Sequence, residues 1–214
     1  MIRQPDPDPL DSCGFVAGTL IHTKTGLVPI EQVQVGDWVW SQAPTGPGAA
    51  QAWKQVTATS AFEDREVVLV RCYQPGGPVL HELCMARNHL FWTIDEGWTR
   101  ADWLGWGREL ALADADVVAI TLCALRVCLT HAPGWGWVSG AWGERNDNGG
   151  HLVDLRNGAI AIAEGEAYNM DFLDDEGNYA PFRMGVFNLD VEGFHTYYVG
   201  AMGLWVHGAH PLPG

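Results

Sequence analysis

The sequence predicts an all-β fold, and three observations predict it. Glycine and tryptophan are abundant, with 26 and 11 copies among 214 residues. Short runs rich in valine, threonine and aromatics recur between glycine-containing turn signals, the pattern of strands joined by tight turns rather than of a helical bundle. The chain just after residue 12 and just before residue 208 reads as strand at both ends. This length supports one core, or one core with an insert.

The elements follow in order. Residues 1–12, MIRQPDPDPLDS, read as a flexible flank, because Pro5, Pro7 and Pro9 hold neither a helix nor a ladder. The stretch CGFVAGTLIHTKTGLVPIEQV, from Cys13, reads as two short strands with Gly26 at the turn. GDWVWSQ, from Gly36, reads as another strand, and residues 42–51 as a loop. QVTATSAFEDREVVLVRCY reads as two strands with a polar turn around Glu63 and Asp64, and PGGP at 75–78 as a turn. LHELCMARNHLFWT follows, and residues 100–104 fit a short helix. The apolar run 116–130 fits two buried strands by its β-branched residues, or a core helix by its leucines and alanines. Residues 131–150 read as an insert loop and 151–185 as a few short elements. The last stretch, GVFNLDVEGFHTYYVGAMGLWVHG, reads as strands with turns at Glu192–Gly193 and Gly200–Gly203. Termini of compact domains often lie close together.

Composition narrows the partners. The net charge of −14 repels phosphate backbones and argues against nucleic acid as a partner. The acidic residues are dispersed, with no run long enough to form a tail. Residues 1–10 lack the charged-then-apolar pattern of a signal peptide. No apolar run reaches the ~18 to 20 residues of a membrane span. The five cysteines, an odd number without a CxxC pair, do not suggest a disulfide framework.

Cys13 stands where the proline-rich flank meets the first strand. A thiolate there can attack the carbonyl of Ser12, its own upstream neighbour, and form a thioester by an N-to-S acyl shift. That chemistry needs an acid–base group, a donor for the oxyanion and strain at the scissile bond. The plainer reading is a small buried hydrophobe. His89 in NHLFWT, His195 in FHTYYV and His207 in WVHG each lie in or beside apolar strands. Each is either a satisfied core histidine or a general acid–base. His22, His81, His131, His151 and His210 suit the surface.

Three blocks resemble the Hint (hedgehog/intein) superfamily, most closely the intein-like Hint domains of bacterial polymorphic toxins (pretoxin Hint domains). The first is Cys13, then Phe15-Val16-Ala17-Gly18-Thr19, Ile30-Glu31-Gln32-Val33 and Gly36-Asp37-Trp38-Val39, with Gly14 inserted. The second is Asn88-His89-Leu90-Phe91-Trp92-Thr93, followed by Gly97-Trp98 and Ala101-Asp102-Trp103-Leu104. The third is Val186-Phe187-Asn188-Leu189-Asp190-Val191, His195-Thr196-Tyr197-Tyr198-Val199-Gly200 and Leu204-Trp205-Val206-His207-Gly208. Three blocks in order are specific.

The resemblance implies a horseshoe-shaped, all-β Hint fold with the N- and C-terminal strands meeting in one cleft. The domain would span 13–208, between an extein-like flank at 1–12 and a C-terminal flank at 209–214, with room for an insert in 107–185. It implies Cys13 as nucleophile, His89 as the group protonating the amine leaving the Ser12–Cys13 bond, and His195 and His207 serving the C-terminal half. Asn188 stands where many inteins carry aspartate, as a supporting residue. The substrate would be the chain's own flanking polypeptide, with no metal and no cofactor. An upstream delivery module and a downstream toxin module would be its neighbours, in a bacterial protein acting at or outside the cell.

Two departures shape the expected chemistry. Ala86 replaces the threonine three residues before the block histidine and removes a hydroxyl. Gly208 replaces the terminal asparagine, so succinimide formation there is chemically impossible, and Ala209 cannot accept an acyl group. Splicing is excluded, and N-terminal autocleavage through a single-turnover Cys13 thioester remains. The alternatives are a catalytically degenerate Hint domain acting as a structural connector, a metal or redox protein using His81, Cys84, Cys123 and Cys128, and a cysteine protease acting on other proteins.

Overall fold

The structure, a computed structural model, describes residues 12–77, 80–139, 150–156, 161–163 and 179–208. The flanks 1–11 and 209–214 lie outside the described residues.

β1 (Leu20–Thr23) buries Ile21 and Thr23 on one face. Gly26, at a φ of 113° that side chains avoid, turns the chain into β2 (Gly26–Pro29). β3 (Trp38–Gln42) pairs with the start of β4 (Gln51–Tyr73). β4 is one strand of 23 residues, where the sequence suggests two. Glu63 and Asp64 do not reverse the chain. They stand opposite Gly185 alone, and Asp64 takes a φ of 57°, so the polar pair makes a β-bulge in a strand whose partner continues past it.

β5 (Leu80–Ala86), β6 (Leu90–Thr93), β7 (Gly97–Arg100) and β8 (Glu109–Ala111) follow. The short helix expected at 100–104 is a single 3-10 turn at Ala101–Trp103. The 116–130 run forms strands, β9 (Val118–Arg126) and β10 (Cys128–Leu129). Alternate residues of β9 from Ala119 to Leu125 are buried, the period of a strand rather than a helix.

The loop expected over 131–150 instead contains β11 (Trp135–Ser139), paired with β12 (Gly150–Asp154); residues 140–149 lie outside the described set. Its glycines serve close packing. A Cβ on Gly136 would lie 2.2 Å from Val127 Cγ1, and one on Gly150 would lie 2.3 Å from the Val138 carbonyl oxygen. β13 (Ala161–Ala163), β14 (Arg183–Val191), β15 (Thr196–Val199) and β16 (Leu204–His207) complete the order. Among the described residues no helix is long and apolar enough to cross a membrane.

The strands form a twelve-stranded and a four-stranded sheet. In the larger, the path β4-β3-β1-β15-β16-β6-β8-β9 returns to β4, so the sheet closes on itself. β4 makes this closure possible. Its first residues pair with β3, its middle with β14, and its last with β5 and β9. The smaller sheet, β10 to β13, takes in Val138 and Val153, which pack in one buried cluster with Cys13, Val67, Cys84 and Ala86. The main core, with Phe15, Ile21, Val39, Phe91, Leu110 and Val206, fills the closed sheet. All five cysteines are buried, and none is in a disulfide.

Candidate active site

The first residues after the flank are threaded between two strands. Phe15 and Phe187 exchange backbone hydrogen bonds at 2.9 and 2.8 Å, the Val16 amide donates to the Cys84 carbonyl at 3.2 Å, and the Ala86 amide donates to the Gly14 carbonyl at 2.8 Å. Residues 14–16 thus fill the gap between β5 and β14. The inserted Gly14 is the residue this passage requires: a Cβ there would lie 2.3 Å from the Phe187 carbonyl oxygen. Cys13 is carried inside as a result, with 2% of its surface exposed, and Ser12 is also buried.

Asn188 follows Phe187 on β14 and turns inward. Its Nδ2 donates to the Cys13 carbonyl at 3.0 Å and faces Cys13 Sγ at 3.4 Å. Its Oδ1 accepts from the Leu189 amide at 2.8 Å and from the Tyr197 hydroxyl at 2.7 Å. Tyr197 is buried on β15, and burial, with Cys13 beside it, pushes its hydroxyl well above the usual range. It therefore stays a protonated donor.

His89 lies in the turn between β5 and β6. Its amide donates to the Ala86 carbonyl at 3.0 Å, and its carbonyl accepts from Ala101 at 2.7 Å. Arg87 braces this turn through Glu66 at 3.2 Å and Asp102 at 3.0 Å. The His89 ring is fully buried, packed edge-on to Phe15 at 4.2 Å between centroids, and neither ring nitrogen has a hydrogen-bond partner among the described residues. Burial, with a smaller contribution from His207, drives its pKa down to about 3. The imidazole is neutral at any ordinary pH.

His207 ends β16, buried, with Trp98 edge-on at 5.0 Å. Its Nδ1 donates to the Gly208 carbonyl at 3.0 Å. His195, just before β15, is half-buried with a φ of 54°. Its Nδ1 pairs with Asp190 at 2.7 Å, and its carbonyl accepts from the Gly208 amide at 2.6 Å. Position 208 is closed to side chains: a Cβ would meet the Leu189 and His195 carbonyl oxygens at 2.6 and 3.0 Å.

The structure thus joins Cys13 to Asn188 by hydrogen bonds, sets His89 within electrostatic reach of His207, and ties Gly208 to both terminal histidines. Ala86 packs in the cluster that holds Cys13. Sequence reasoning missed Tyr197. Its one signal was a tyrosine among the strand-forming residues TYYV, whose hydroxyl needs a partner once buried. Among the described residues no cluster of His, Cys, Asp and Glu has the arrangement of a metal site.

No protein-family model and no curated protein matches the chain. Solved structures do. The chain is similar to a bacterial intein-like domain from Clostridium thermocellum, with a TM-score of 0.55 and 23% identity over 91% of this chain and 97% of that one. It is also similar to a DnaB intein from Synechocystis sp. PCC 6803, with a TM-score of 0.53 and 16% identity over 92% and 99%. The Ssp DnaB mini-intein variant M86 gives a TM-score of 0.53 and 16% identity over 97% of each chain. The chain has the all-β Hint fold shared by inteins and bacterial intein-like domains.

Proposed function

We propose that this chain is an intein-like self-processing domain in which Cys13 cleaves its own upstream peptide bond. The observation that carries the reading is the buried contact of the Cys13 thiol with the Asn188 amide, together with a neutral His89 that packs on Phe15 and whose ring nitrogens have no partner among the described residues. A buried polar group without a partner costs about 1–3 kcal/mol.

The Cys13 thiol passes its proton to the neutral His89 imidazole as its sulfur bonds to the Ser12 carbonyl carbon. The resulting tetrahedral centre collapses as the Ser12–Cys13 C–N bond breaks and the departing nitrogen takes a proton. An imidazole with a pKa of about 3 keeps a proton poorly, so His89 passes one readily to that nitrogen. Water or an added thiol then releases the acyl group from the thioester and returns the Cys13 thiol. Gly208 offers no side-chain amide to cyclise, so nothing equivalent follows at the C-terminal end.

In this reading residues 13–208 are the processing domain and 1–12 the departing flank. The four-stranded sheet of β10–β13 is an insert within 107–185, and delivery and toxin modules flank the domain. A second reading, a Hint domain that only connects its neighbours, is favoured by Ala86 and by the closed space around Gly208. Intact mass against time on a fusion with a folded reporter before Met1 separates the two. Cleavage at Ser12–Cys13, faster with dithiothreitol, supports processing; an unchanged mass over days supports the connector.

A further inference from the structure

We propose that Tyr197 is a positioning residue that turns the Asn188 amide NH2 toward Cys13, so that the nucleophilic sulfur is held by an amide donor. This rests on the reading of Cys13 as nucleophile.

The argument begins with the ambiguity of a carboxamide. Its oxygen and nitrogen ends have nearly the same shape, and only the surrounding network decides which faces which neighbour. Here the network decides one way. The Asn188 oxygen receives two donors, the Tyr197 hydroxyl at 2.7 Å and the Leu189 amide at 2.8 Å. A flipped amide would set its NH2 against the Leu189 N–H and its oxygen against the Cys13 carbonyl, and it would take from the Tyr197 hydroxyl proton its acceptor at Asn188 Oδ1. The backbone donor is fixed by β14, while the hydroxyl is supplied by a side chain and can be removed.

With the oxygen committed, Nδ2 faces Cys13, 3.0 Å from its carbonyl oxygen and 3.4 Å from its sulfur. A donor at that place favours the charged thiolate over the thiol. It cannot take the thiol proton, so that proton goes to another group, which in this reading is the neutral His89 imidazole. The titratable groups around Cys13 and His89 are Tyr197 on β15, Cys84 on β5, Cys123 on β9, His89 in the turn after β5 and His207 on β16. Burial keeps the Tyr197 hydroxyl and the Cys84 thiol protonated, and it keeps His89 uncharged. The amide donor is therefore a principal source of thiolate stabilisation in an otherwise apolar cluster.

The test is the titration of Cys13 itself, read by NMR on protein labelled at cysteine 13Cβ, with the signal assigned by its loss in Cys13→Ser. In Tyr197→Phe the midpoint is expected to rise by about one pH unit, because one of the two donors locking the amide is gone. Cleavage at neutral pH should slow about tenfold and recover as the pH passes the new midpoint. An unchanged midpoint in a folded Tyr197→Phe overturns the proposal.

A measurement on the unaltered chain guards against a variant that fails to fold. The Asn188 side-chain amide protons should show their strongest nuclear Overhauser contact to Cys13 Hβ. A strongest contact to the Tyr197 ring instead also overturns the proposal. Intact mass on the same samples reads cleavage separately. A shifted midpoint without cleavage upholds the positioning role and removes the processing reading; cleavage with an unmoved midpoint does the reverse.

Discussion

The ring of His89 packs edge-on against that of Phe15, with centroids 4.2 Å apart and planes at 65°. Phe15 is itself locked to Phe187 by two backbone hydrogen bonds. The imidazole is therefore positioned by shape and by its backbone, and both ring nitrogens are left for other use. This makes His89 costly to stability and its removal informative.

Replacing it with an apolar residue of similar size should separate the two effects. His89→Leu is expected to lower the cleavage rate by about 10²–10⁴ and to leave the melting temperature equal or higher, because an unpaired buried polar group is gone. A parallel fall in both would assign His89 to packing.

The same group sets a pH dependence. Its folded pKa of about 3 lies below the ordinary value of 6.5. As pH falls below about 6.5 the unfolded chain takes up a proton that the folded chain refuses, so stability is lost between about pH 6.5 and 3 and levels off below. The loss attributable to this one residue at pH 4 is roughly 3 kcal/mol. Urea unfolding at pH 7 and pH 4 should show it, and His89→Leu should remove that part of the slope.

Gly208→Asn restores the amide that C-terminal cleavage needs but not the room for it. Its Cβ would meet backbone oxygens of Leu189 and His195. The variant should lose about 1–3 kcal/mol of stability and show no C-terminal cleavage by intact mass. Efficient release at residue 208 would mean that the β14–β15 corner yields easily.

Ala86→Thr places a hydroxyl in the cluster that holds Cys13. If an absent donor slows the acyl shift, this change should raise the cleavage rate on the order of tenfold or more. Overpacking should cost about 1–3 kcal/mol. Single-turnover kinetics with dithiothreitol and a thermal melt on the same protein read the two effects.

Asp190→Asn breaks the partly exposed pair with His195, whose side chains are 26% and 32% exposed. Pairs of this kind contribute about 0–1 kcal/mol. His195 is tied to Asp190 and to Gly208 at the C-terminal end, so N-terminal cleavage should change less than about threefold.

Much of this was legible in the sequence, for physical reasons. Strand-forming residues between glycine turns marked β1, β2, β15 and β16, although only β1 alternates in burial and β15 and β16 are buried at every position. Cys13, His89 and His207 stood in recognisable blocks. Asp64 misled, because a polar pair that signals a turn also suits a bulge, and only the partner strand decides between them. Gly136 and Gly150 misled in another way: they looked like loop residues, yet each is small because a neighbour crowds the space its Cβ would need. Tyr197 was invisible because its partner Asn188 lies on a different strand.

The most direct test of a Cys13 thioester is to trap it. A reporter fused ahead of Met1 is incubated with hydroxylamine, and the released fragment is analysed by mass spectrometry beside the same fusion carrying Cys13→Ala. A fragment ending at Ser12 as the hydroxamate, absent from the alanine variant, is the predicted result. A fragment with the same end from the alanine variant, or none from either protein, would contradict the account.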